Sequence, residues 1–166
     1  MKRILSIGGV CLLVALGIWA WRTVFPGDET RIRKLLAQVA DTACLKSTEG
    51  QLSRLLAAGR LADFFAPDAV VNIDVAGLNE KVIQGRAELQ QMIAAARVNL
   101  QSAEIRFPDV QLTIEPDHLS AEAHVAAVAD VNGEKNAVIQ ELKFRFQKID
   151  GKWKINQVNT VKTFGN

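Results

Sequence analysis

From Ala103 to Val161 apolar residues recur with a period of two, and three turn signals cut this run into four strands. The strands are predicted at about 103–115, 118–131, 137–149 and 152–161, separated by Pro116-Asp117, Asn132-Gly133 and Asp150-Gly151. The two Asx-Gly pairs accept the positive φ that short hairpins require, so consecutive strands should fold back as an antiparallel meander. On strand 118–131, Leu119, Ala121, Ala123, Val125, Ala127, Ala129 and Val131 form one apolar face, while His118, Ser120, Glu122, His124 and Asp130 face the other way. One side of such a sheet must meet helices and the other meets water or a partner. Pro108 cannot donate to a ladder, which implies an edge position, a bulge or a bend.

The helices that cover the sheet are written upstream. Ile32, Leu35, Leu36, Val39, Ala40 and Ala43 have the spacing of one helical face, predicting a helix over about 29–46 that Asp28 or Thr30 can cap. Cys44 borders this stripe and reads as a small core residue. Leu52, Leu55, Leu56, Leu61, Phe64 and Phe65 mark a second helical segment that Pro67 ends, with Gly59 as a break or close contact. Residues 69–75 alternate as a strand, with Val71, Ile73 and Val75 on one face and Val70, Asn72 and Asp74 on the other. Gly85 opens a third helix whose Leu89, Met92, Ile93 and Ala96 share a face.

The first 22 residues belong to none of this. Ile4 to Trp21 is an unbroken uncharged run that as a helix would span about 27 Å, close to a bilayer's hydrocarbon core. Lys2 and Arg3 precede it and Trp19 and Trp21 fall at its far end, which places the N-terminus in the cytoplasm and the rest outside. A cleaved signal peptide is the rival reading, but Ala15-Leu16-Gly17, its best cleavage triplet, lies inside the apolar stretch. A buried helix of the soluble domain is the third reading. Cys11 follows Val10 in mid-run, which does not suit lipidation. The organisation expected is a cytoplasmic start at 1–3, a transmembrane signal anchor at 4–21, a linker at 22–28 and one α+β domain at 29–166, periplasmic in a bacterial inner membrane.

Composition narrows the domain's chemistry. The chain carries 20 Lys and Arg against 18 Asp and Glu, and three of the basic residues (Lys2, Arg3, Arg22) lie before residue 23, leaving 17 against 18, or −1, for the rest. A near-neutral domain without a basic run has no electrostatic footprint for nucleic acid. Two cysteines cannot make a disulfide scaffold, and the chain has no tyrosine.

Two helices, the run Leu61-Ala62-Asp63-Phe64-Phe65-Ala66-Pro67-Asp68-Ala69-Val70-Val71, a third helix after Gly85-Arg86, and a meander ending in Gly151-Lys152-Trp153-Lys154-Ile155 together resemble the nuclear transport factor 2-like superfamily, which includes SnoaL-like domains. The resemblance covers about residues 28–162. It implies a cone of about three helices packed on a strongly curved antiparallel sheet around an apolar pocket, a fold used by isomerases, cyclases, dehydratases and many non-catalytic binders.

The ketosteroid isomerase-like enzymes of that superfamily place a carboxylate base on the first strand and pair it with a tyrosine. Carried over by Phe65-Ala66-x-Asp68-Ala69, the base position falls on Ile73, and no tyrosine exists to be the donor. Asp74 is adjacent, but strand alternation turns it to the opposite face unless a bulge intervenes. His124 lies mid-strand on the polar face, and its separation from His118 by about 20 Å at 3.3 Å per residue excludes a shared metal. Asp74 and His124 are thus the weak catalytic candidates, with a solvated role preferred for both. Val71, Ile73, Gln140, Trp153, Gln157 and Asn159 are the expected pocket residues, with the neutral amides suited to orient a ligand rather than to move protons.

The function expected is membrane-anchored, non-catalytic binding of a small apolar ligand or a protein partner, without cofactor or metal, as a monomer or homodimer. An isomerase, cyclase or hydratase with Asp74 or His124 as base is the alternative, and an assembly module of an envelope complex, resembling a type IV secretion inner-membrane subunit, is the third.

Overall fold

The computed structural model describes residues 27–73 and 81–161. The apolar run 4–21 and Asp74 lie outside them. Among the described residues no helix is long and apolar enough to cross a membrane.

Helix α1 (Asp28–Ala43) buries Ile32, Leu35, Leu36 and Val39, the stripe its sequence spacing predicts. Its last turn contains no basic residue, although the final carbonyls of a helix need donors. Arg97, on helix α3 (Gly85–Asn99), supplies them from another element. Its guanidinium donates to the carbonyls of Thr42 at 3.1 Å, Ala43 at 3.2 Å and Cys44 at 3.1 Å, and to Glu49 Oε2 at 3.4 Å. Arg97 is 4% exposed, the one buried charged residue among those described. Arg54, on helix α2 (Gln51–Ala62), repeats the device by donating to the carbonyls of Arg97 and Leu100 at the end of α3.

At the other end of α1, Asp28 is the first helical residue rather than the cap, a position held by Gly27. The Asp28 carboxylate instead accepts from Lys148 Nζ at 2.9 Å and Trp153 Nε1 at 3.0 Å, with the Lys148 ammonium 5.2 Å from the indole centroid. Burial works to raise this carboxyl's pKa, but the bonds from Lys148 and Trp153 and the charges of Lys148 and Arg31 outweigh it and hold it below the ordinary range.

The six strands are β1 (Phe65–Ile73), β2 (Lys81–Gln84), β3 (Ala103–Ile114), β4 (Ser120–Val131), β5 (Glu134–Ile149) and β6 (Lys152–Thr160). They form one sheet in the order β2-β1-β6-β5-β4-β3. The meander β3 to β6 is antiparallel as expected. Both Asx-Gly turns have two consecutive positive φ values, +50° and +88° at Asn132-Gly133 and +49° and +74° at Asp150-Gly151. The sheet is nevertheless mixed, because β1 runs parallel to β6, pairing Val71 with Val158 and Asn72 with Asn159. Local periodicity reports a strand but not its distant partner, so the fully antiparallel sheet expected from sequence is corrected here.

Two further differences concern β1 and β2. Pro67 does not end α2, which stops at Ala62, but sits inside β1. It lies within the register shift between Phe65 and Val70, ahead of the β2 pairing that begins at Val70, so its missing N–H costs no ladder bond. Strand β2 is only four residues long, too short for alternation to reveal. Gly85 turns β2 into α3 at φ +81°, where an added Cβ would also approach the Pro67 carbonyl to 3.4 Å. Pro108 falls in the register shift of β3, an edge strand, as its ring requires.

The helices cover one face of the sheet and the core lies between them, centred on Phe144, Phe146, Ile155, Ala123 and Val125 with the α1 stripe. The apolar face of β4 is shorter than its sequence suggests. Ala121, Ala123 and Val125 are buried, but Leu119 is exposed and Ala127, Ala129 and Val131 are half-buried. Helix α2 departs further, since Ala57, Ala58, Leu61 and Ala62 form its buried face while Leu52, Leu55 and Leu56 stand outside. Small side chains let α2 approach α3 closely, with Gly59 against Gln90.

Replacing Arg97 with Met should lower stability by about 2 kcal/mol, because three carbonyls and the Glu49 carboxylate, all half-buried, lose their donor. Chemical denaturation measures this, and Arg97→Lys should recover only part, since one ammonium cannot reproduce the fork. A second expectation concerns acid. A carboxyl depressed in the folded state stabilises above its unfolded pKa of about 3.9, and that contribution is lost as pH falls through the lower folded pKa. Asp28→Asn should therefore cost about 1–2 kcal/mol at pH 7, and the difference from the parent chain should shrink as the pH falls below about 3.9; a penalty independent of pH would refute the charge-assisted latch.

Candidate functional site

The strand registers bring one row of side chains together on the concave face. Val71 and Val158 are buried neighbours, so Ile73 and Thr160, two residues on in these parallel strands, follow on the same face. Thr160 pairs with Leu142, Leu142 with Val125 and Val125 with Val110. The row Ile73, Thr160, Leu142, Val125, Val110 thus crosses five strands, with Met92 and Ile93 of α3 and Phe107 packed against the core beside it. Gln140, one step further out along β5, shares this face and donates from Nε2 to the Val161 carbonyl at 3.4 Å. The row is apolar apart from one hydroxyl and one amide. None of its members is acidic or basic, the Thr160 hydroxyl donates to the Asn72 carbonyl at 3.5 Å, and Val125 belongs to the packed core while Ile73, Leu142 and Val110 are half-buried.

The expected pocket residues separate into three groups. Val71, Ile73 and Gln140 lie on the concave face, Val71 within the packed core and the other two where it opens. Trp153 is also inward but 5% exposed, with its indole N–H engaged by Asp28, so it serves the entry to α1. Gln157 and Asn159 lie on the opposite, outer face. The cause is a bulge: Phe146 pairs with Ile155, but Arg145 pairs with Gln157, leaving Asn156 as the extra residue that reverses the parity of β6. Simple alternation from Trp153 and Ile155 could not reveal this.

Gln157 and Asn159 there join a polar chain across four strands. Asn72 donates to Asn159 Oδ1 at 2.7 Å, Gln157 donates to the same oxygen at 3.2 Å, and Arg145 reaches Gln157 at 3.4 Å. Glu122 then collects Lys143 at 2.7 Å, His124 at 3.2 Å and Arg145 at 3.4 Å. The hydrogen bond from Lys143 and its charge, with His124 and Arg145, hold the Glu122 carboxyl below its usual pKa against the opposing effect of burial. His124 is 55% exposed and committed to this network, the solvated placement its parity suggests. Asp74 lies outside the described residues.

An open cleft of about 630 Å3, formed by the α1–α2 loop and the β3 and β4 ends near Cys44, Lys46, Glu104, Asp130 and Lys135, was not foreseen. It depends on contacts between distant segments, chiefly the bridge of Leu45 with Ala103. Cys44 there donates to the Ala40 carbonyl at 3.3 Å and accepts from the Ile105 N–H at 3.4 Å, a structural role. Among the described residues no group of three or more His, Cys, Asp or Glu could hold a metal ion.

Solved structures share this architecture. An NTF2-like protein with a cystatin-like fold from Novosphingobium aromaticivorans superimposes with a TM-score of 0.64 at 17% identity, covering 93% of this chain and 90% of that one. A protein of unknown function with a cystatin-like fold from Nostoc punctiforme gives 0.61 at 16% identity, covering 80% and 89%. A putative scytalone dehydratase from N. aromaticivorans gives 0.57 at 13% identity, covering 82% and 85%. At these identities the likeness is one of fold. No curated protein matches the chain. The sequence pattern of the SnoaL-like domain matches residues 54–159, from α2 to the end of the last strand, and the chain belongs to that family.

Proposed function

We propose that this SnoaL-like domain is held at a bacterial inner membrane by residues 4–21, lies in the periplasm, and uses its cone to seat a small apolar molecule or an apolar segment of a protein partner without acid-base turnover. The observation that carries this is the row Ile73, Thr160, Leu142, Val125 and Val110, none of whose members is acidic or basic. The apolar run with Lys2 and Arg3 before it supports the address. The outer sheet face, with Glu122 against Lys143 and Arg145, is where a second copy would pair.

A second reading is an isomerase, cyclase or hydratase with Asp74 as base. The likeness to the putative scytalone dehydratase favours it, and it requires a bulge after Ile73 to turn Asp74 inward.

Native mass spectrometry of the full chain released from cell membranes should show a retained small molecule or partner, and Leu142→Glu should release it. A chain that is empty in both forms, or a turnover activity abolished by Asp74→Asn, would sink the binding reading. For topology, Lys135→Cys, in the exposed turn region at the start of β5 and with Cys11 and Cys44 replaced by Ser, should react with a membrane-impermeant thiol reagent once the outer envelope is permeable. Labelling only after lysis would place the domain in the cytoplasm.

A further inference from the structure

Helix α2 is apolar on both sides, yet only one side is covered. Ala57, Ala58, Leu61 and Ala62 are buried, while Leu52, Leu55 and Leu56, spaced i, i+3 and i+4, are 71%, 53% and 59% exposed. A water-facing helix normally keeps polar residues there. Helix α2 has no acidic residue, and its charged side chains are Arg54, spent on the end of α3, and the exposed Arg60. An exposed leucine stripe with one exposed cation, Arg60, and no carboxylate on the helix suits a helix that lies in a membrane interface.

The position of α2 agrees. Its start is tied to the end of α1 through Glu49, Arg54 and Arg97. Its far end leads to Phe64, whose carbonyl accepts from Ile155 N–H, two residues from the Trp153 that binds Asp28. Helix α2 therefore returns toward the point where α1 begins, with Arg60 at the end nearer that point and Leu52 at the end farther from it. Six residues, 22–27, separate the apolar run from Asp28, a reach of at most about 20 Å. The stripe's exposed area, on the order of 300 Å2, is at the low end of functional patches and well short of the roughly 800 Å2 per partner of a stable protein interface. A second copy is thus a poor occupant. A bilayer that already tethers the chain is a good one, because a short linker raises the effective concentration enough for a small contact to form.

Resting on the anchored reading above, we infer that the Leu52, Leu55 and Leu56 face of α2 docks on the same bilayer that residues 4–21 span, with Arg60 toward lipid phosphates. Docking fixes the domain's orientation on the membrane instead of leaving it to swing on its linker.

The test uses the full chain in vesicles of phosphatidylcholine and phosphatidylglycerol, with or without bromine on the upper acyl chains. Single fluorophores are placed on native Cys11 (with Cys44→Ser), on Leu55→Cys or on Ile139→Cys, the last two with both native cysteines replaced by Ser. Bromine should quench the labels at 11 and 55 several-fold more than the label at 139, and Leu52→Glu with Leu56→Glu should abolish quenching at 55 while the cooperative melt persists. Quenching at 11 with a label at 55 as bright as that at 139 overturns docking and leaves the anchor standing. No quenching at 11 overturns both. A label at 55 insensitive to bromine but giving energy transfer between copies assigns the stripe to self-association instead.

Discussion

One buried guanidinium holds the helical layer together. The last carbonyls of α1 belong to half-buried residues, and the last turn of α1 has no cation of its own to meet them. Arg97 brings five donors in a rigid fork, and three carbonyls and Glu49 converge on it. Its charge interacts favourably with the negative end of the α1 dipole, which offsets part of the cost of burial. Arg54 ties α2 to the end of α3 in the same way. The three helices are tied at their ends by two arginines, while α1 packs through large aliphatic side chains and α2 mainly through small ones such as Ala57 and Ala58.

That locked layer is what the sheet curves around. Pairing β1 with β6 joins the first strand of the domain to the last and carries the N-terminal end of α3 to the sheet's β2 edge through Gly85. Bulges in β3 near Pro108 and in β6 at Asn156 bend the strands. The β6 bulge also decides the sheet's chemistry. Without it, Gln157 and Asn159 would project into the apolar interior; with it they extend the Glu122, Arg145 and Asn72 network on the outer face. The interior is left neutral and the exterior carries nearly all the charge.

The SnoaL-like cone hosts both catalysts and binders, so membership alone does not select an activity. In this chain the elements that diverge from a self-contained soluble cone are an apolar run before the domain and a helix with leucines on its open side. Both are what the proposed attachment to a bilayer would require. Under that proposal the cone would stand where apolar molecules concentrate, since such molecules partition into lipid.

The α1 stripe, the meander and its Asx-Gly turns were legible because each depends on residues close in sequence. Period and the positive φ of Asn132-Gly133 are local properties, and the structure keeps them, whereas the expected Asp28 or Thr30 cap gives way to Gly27 because Asp28 is taken by Lys148 and Trp153. The four-residue β2 carried too few positions to alternate. The β1–β6 pairing, the service of Arg97 to a helix more than fifty residues away, the parity reversal at Asn156 and the outward turn of the α2 leucines could not be read from any window. They arise from a competition between segments distant in the chain for the same buried space and the same hydrogen-bond donors. Sequence by itself determined which segments are helix, strand and turn, and that the interior would be poor in acids and bases; only tertiary packing decided which face of each segment is interior, because burial is a property of neighbours rather than of a residue.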